Sequence, residues 1–248
     1  MNLPIESIFG AIQFFISVFI AYNLYKSTKR RPNNINIKYF FYTFILLSVV
    51  FAFSAISIVS TINFKTDFLI SSVNIIGRGF ILLGVMFFAY IPLNILKGKL
   101  WKLILPFLVL IVAVLSNLFS MMSLFNHPRT PVESIGSFII RTHRSDMYTN
   151  VGIAVIGVTA IFCLILASYK HMKVIYQDID DPYVFKRGLL TIGAALFFAI
   201  GIGFNYLLTL AYPVVGRVIS EILYLIALVF FLISVLYKKK GSSLATDV

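Results

Sequence analysis

The chain has 248 residues, of which 60% are hydrophobic and only 12% charged. Soluble domains carry about 25% charged residues, so a soluble globular fold is excluded. The formal charge is +12, but the cations sit in short clusters between apolar runs and share no soluble face; this excludes a nucleic-acid binder and points to lipid headgroups as partners.

Seven apolar runs, at 7–25, 39–62, 68–96, 103–120, 151–169, 188–212 and 218–237, are of the length that crosses a bilayer, for which roughly 20 residues suffice. They predict an all-α polytopic membrane protein: one domain over 1–240 with seven transmembrane helices, then a small polar tail at 241–248. No basic residue precedes the first run, and its length and flanks are those of a retained helix rather than a cleaved signal peptide.

Alternate joints differ in charge. Lys26, Lys29, Arg30, Arg31, Lys38, Lys97, Lys99, Lys102, Lys170, Lys173, Lys186, Arg187 and Lys238 to Lys240 make fifteen cations on one side, against Lys65, Arg129, Arg141, Arg144 and Arg217 on the other. The positive-inside rule then predicts an outer N-terminus and a cytoplasmic C-terminus in the cell membrane. Most joints are short, leaving no room for a soluble catalytic domain. Asp178, Asp180, Asp181 and Pro182 lack the glycine turn and distal glutamate of a calcium loop and read as a solvated turn.

The one long joint is the outer loop at 121–150. Thr130-Pro131-Val132-Glu133 fits a capping box with proline at the first helical position. With Val132, Ile135, Phe138 and Ile139 on one face, this predicts a short amphipathic helix on the outer leaflet or over the bundle mouth. Arg141, His143 and Arg144 follow as candidate contacts for an anion or lipid. His127 and His171 fall on opposite sides of the membrane, so no three-histidine metal site forms and no cofactor is expected. Cys163, inside an apolar run, reads as a small buried thiol.

Polar side chains inside apolar runs are the candidate site. Arg78, Asn74, Asn117, Asn205, Tyr206 and Glu221 all fall in the outer part of their runs, and such groups usually face the bundle interior. A pairing of Arg78 with Glu221 is one expectation, since a guanidinium holds a carboxylate through two parallel bonds. The alternative pairs Glu221 with Arg217 one turn earlier on the same helix. Either cluster serves as a packing device or as the polar wall of a pocket for a mostly apolar or amphipathic ligand. Gly77, Gly79, Gly188, Gly193, Gly201 and Gly203 favour close helix approach, and Pro92 and Pro106 are candidate kinks.

No lysine lies in Ser220 to Tyr237 for a retinal Schiff base, no Pro-Gln pair marks a small sugar transporter, and no nucleophile elbow or phosphate loop is present. The stretch from Lys186-Arg187-Gly188 through Gly203-Phe204-Asn205-Tyr206, then Ala211-Tyr212-Pro213 and a last helix, resembles the seven-helix N-terminal sensor region of microbial membrane histidine kinases. That family continues into an output domain, whereas about ten residues follow Lys238 here. The resemblance implies a non-enzymatic, receptor-like sensor acting through a protein partner or a homo-oligomer. An accessory subunit of a larger membrane complex is the alternative, and a small-molecule transporter the third.

Overall fold

An apolar run in lipid has to satisfy its own backbone hydrogen bonds, and a helix does so within one segment. The computed structural model describes residues 3–62, 67–95, 99–126, 132–135, 138–141, 146–177 and 181–237. Seven helices form there: α1 (Ile5–Arg30), α2 (Ile35–Ile62), α3 (Asp67–Ile95), α4 (Lys99–Asn126), α5 (Met147–Gln177), α6 (Pro182–Ala211) and α7 (Pro213–Leu236). All seven are long and apolar enough to cross a membrane. They extend past the apolar runs because a helical backbone stays hydrogen-bonded into the headgroup zone; α4 and α5 thereby take in residues 121–126 and 147–150, expected in the loop. The 241–248 tail lies outside the described residues.

Local chemistry sets the helix starts. The Asn34 carboxamide oxygen accepts hydrogen bonds from the backbone N–H of Asn36 (3.1 Å) and Ile37 (3.3 Å), capping α2. Asp181 Oδ1 accepts from the Tyr183 N–H at 2.9 Å, with Pro182 first in α6, so one acid of the expected solvated turn is a helix cap. Pro92 and Pro106 lie inside α3 and α4, which continue through them.

The helices pack as a ring in the order α1, α2, α3, α5, α6 and α7, closed by α7 against α1, with α4 outside it against α3 and α5. We call the end where α1 begins the amino end and the end where α7 finishes the carboxy end. Rings fill the bundle towards the carboxy end. Phe231 of α7 meets Phe44 of α2 and Phe88 of α3 edge-on at 5.2 and 5.5 Å, geometries worth ~1 kcal/mol each beyond area burial. His171 of α5 lies 5.5 Å from the Phe88 ring, centroid to centroid, and Cys163 is buried as expected.

Where the segment expected to be an amphipathic helix is described, it is strand. Val132–Ile135 (β2) and Phe138–Arg141 (β3) pair antiparallel, and Leu3–Pro4 (β1) joins β3 in parallel to give the order β1-β3-β2. This small sheet is the one departure from an all-helical chain among the described residues. Paired Ile135 and Phe138 leave a two-residue connection, Gly136-Ser137, the composition that favours a tight hairpin. The flanking β-branched and aromatic residues outweigh the capping-box signal, because pairing with β1 rewards strand geometry that an isolated short helix cannot match.

Candidate functional site

Gln13 and Glu221 each lie eight residues into their helices, α1 and α7, and so about 12 Å below the amino end at 1.5 Å per residue. Those helices are neighbours that enter the bundle from the same end, which brings the two side chains to one level. Gln13 is 1% exposed and Glu221 5%, so neither reaches bulk water. Gln13 Nε2 donates to Glu221 Oε2 at 2.9 Å and to the Glu221 carbonyl at 3.2 Å. The other carboxylate oxygen, Oε1, lies 3.1 Å from Arg217 Nε. Arg217 Nη1 donates in turn to Asn205 Oδ1 of α6 at 3.2 Å. One network therefore joins α1, α6 and α7, and its two charges cancel.

Two of the same helices, α1 and α7, carry buried serines. Ser7 and Ser17 of α1 and Ser220 of α7 are fully buried; Ser17 Oγ donates to the Phe14 carbonyl and Ser220 Oγ to that of Gly216. Such back-bonding lets small polar residues face an apolar interior without unpaired donors. Close approach helps: a β-carbon on Gly10 of α1 would stand 2.8 Å from Ser54 Cβ and 2.9 Å from the Ala55 backbone nitrogen of α2.

The sequence-derived cluster divides between two places. Glu221 and Asn205 share the network just described, with Arg217 as the cation between them. Among the described residues, Arg217 and Gln13 are the side chains that hold the Glu221 carboxylate, as the same-helix alternative proposes. Arg78 is half-buried on α3, whose main neighbours are α2, α4 and α5. Asn117 is on α4 against that helix: a β-carbon on Gly79 would lie 3.2 Å from Asn117 Nδ2. The Asn117 Oδ1 atom is buried without a hydrogen-bond partner. The side chains of Asn74 and Tyr206 lie outside the described residues, as do His143, Arg144 and the side chain of Arg141.

A second polar seam joins α4 to α5. Ser116 Oγ donates to the Gly152 carbonyl, and Ser123 Oγ to Asp146 Oδ2, tying the base of the long connection. From that base the hairpin reaches across the amino end. Strand β3 rests on α1 and pairs with β1, which touches α2, while α4 and α5 stand across the ring. The hairpin is thus positioned above the end of the bundle that contains the Gln13–Glu221 pair.

Gln13 is the site residue that sequence reasoning missed. Its signal was available: it is the one carboxamide before Asn23 in the first apolar run, which has no charged side chain up to that point, and a polar side chain at that depth needs a partner. Among the described residues no group of three or more histidine, cysteine, aspartate or glutamate side chains could hold a metal.

Seven helices of spanning length with apolar outward faces define a multi-pass helical membrane protein. The chain matches no protein-family model, no curated protein and no solved structure.

Proposed function

We propose that the chain is a receptor-like sensor in the cell membrane, with its amino end outside. In this reading an apolar or amphipathic ligand enters the bundle from that end, beneath the β2–β3 hairpin. It engages the Gln13–Glu221–Arg217–Asn205 network and shifts the carboxy ends of the helices against a partner protein. The carrying observation is a carboxylate 5% exposed, held by groups from another helix and its own. A ligand that contacts this network changes how α1, α6 and α7 sit together, and it shifts the population only as far as its affinities for two arrangements differ. The fifteen cations of the joints at the carboxy end, against five cations in those at the amino end, support the orientation. The reading involves no catalytic step.

The test is gentle purification in native lipid discs, with mass spectrometry of what co-purifies. An amphiphile retained by the native chain and lost from both Gln13→Leu and Glu221→Gln supports the proposal. Retention unchanged in both variants refutes it.

A second reading, the accessory subunit, is favoured by α4. Of the seven spans α4 is the least covered, and Leu103, Phe107, Leu110 and Phe125 expose between 58% and 67% of their surface. A polypeptide that co-purifies and protects α4 from lipid-soluble labels would support that reading over the sensor.

A further inference from the structure

One face of α1 is an exposed apolar stripe that ends in cations. Phe15, Phe19, Tyr22, Lys26 and Lys29 recur at alternating intervals of four and three residues and form one stripe along the helix. Their exposure is high: 71% for Phe15, 49% for Phe19 and 52% for Tyr22, with both lysines exposed. At the carboxy end the stripe becomes a ladder of cations on rings. Lys26 Nζ stands 4.3 Å from the Tyr22 ring centroid, and Lys29 Nζ stands 4.8 Å from that of Tyr25. Tyr25 is braced in turn by Phe41 of α2, 5.9 Å away between centroids.

Charge gives the face its sign. Between Glu6 and Asp67 the sequence has no acid, while Lys26, Lys29, Arg30, Arg31 and Lys38 concentrate around the α1–α2 turn. A soluble anion would use the cations alone. Here they continue directly into exposed phenylalanine, so the matching partner carries acyl chains as well as a negative headgroup.

We propose that this stripe binds an anionic phospholipid, the phosphate on Lys26 and Lys29 and an acyl chain along Tyr22, Phe19 and Phe15. The tyrosines fix the height of the headgroup, because an amphipathic ring rests where the apolar core meets water. Stacking on those rings pre-orients the two ammonium groups, which lowers the ordering cost when the lipid arrives.

The test uses the full chain in detergent, titrated with phosphatidylglycerol or phosphatidylcholine and read by native mass spectrometry. The native chain retains phosphatidylglycerol in preference to phosphatidylcholine. The pair Lys26→Gln and Lys29→Gln lowers that preference about thirtyfold, from roughly 1 kcal/mol per cation near an anionic headgroup. Lys26→Arg with Lys29→Arg preserves it, which separates charge loss from misfolding. A photoactivatable acyl chain on phosphatidylglycerol crosslinks to the α1 segment around Phe15 and Phe19. Unchanged preference in the glutamine pair, or crosslinks confined to other helices, overturns the proposal. So does displacement of the lipid by glycerol phosphate at equal concentration, which would make this a small-anion site.

Discussion

Glu221 is the side chain on which the amino end of the bundle depends. Its carboxylate is out of water and both of its oxygens are engaged, one by Gln13 and one by Arg217. Removing one member of a buried pair leaves the other charge stranded, at a cost of about 3–5 kcal/mol, whereas replacing both by apolar groups of similar volume is often neutral. Arg217→Ala should therefore lower the thermal unfolding midpoint in detergent far more than Arg217→Met combined with Glu221→Met. A double variant as unstable as the two single changes together would show that the pair is not what holds this level. Gln13→Leu removes a hydrogen bond to a charged group, about 1.5–3 kcal/mol. Its effect should shrink once Glu221 is methionine, and a double-mutant cycle measures that coupling.

At the scale of elements, two contrasts are open to measurement. α1 crosses α2 at Gly10, where backbone of the partner would lie 2.9 Å from an added β-carbon, while a β-carbon on Gly203 of α6 meets nothing within 4 Å. Gly10→Ala should destabilise by about 1–3 kcal/mol through overpacking. Gly203→Ala should be neutral, or stabilise by up to about 1 kcal/mol through helix propensity. Equal effects in a thermal-shift comparison would contradict the observed crossing. The hairpin offers the other contrast. Glu133 and Ile140 are direct cross-strand partners, with α-carbons ~5 Å apart in such pairs, whereas seven residues of helix would separate them by about 10 Å. Cysteines at both positions should form a disulfide under mild oxidation, with Cys163 silent because it is buried. Failure to crosslink, in a variant that still folds, would restore the helical reading of this segment.

For the whole molecule, the proposed sidedness rests on the distribution of charge among the joints. If the proposed orientation holds, a cysteine at Ser145 is labelled by a membrane-impermeant maleimide on intact cells, and one at Ser242 only after permeabilisation. The reverse pattern would place the polar network at the cytoplasmic face and remove the sensor proposal with it. The two ends of the bundle also differ in filling. Gln13 and Glu221 occupy the amino half, while Phe44, Phe88, Phe231 and His171 interlock near the carboxy end.

The seven spans and the helical levels of Glu221 and Asn205 were legible in the residues alone, because both depend on local quantities: the length of an apolar run and the distance from its charged or proline boundary. Glu221 and Asn205 were found that way, and Gln13 could have been. Which groups meet was decided by the ring order, since α7 packs on α1 and α6 and so presents Glu221 to Gln13 and Arg217 to Asn205. The strand at Phe138–Arg141 was hidden for the same reason: its partner, Leu3–Pro4, lies more than a hundred residues away. Hydrophobic run length is a property of neighbours along the chain, whereas pairing is a property of neighbours in space, and only the folded bundle brings those together.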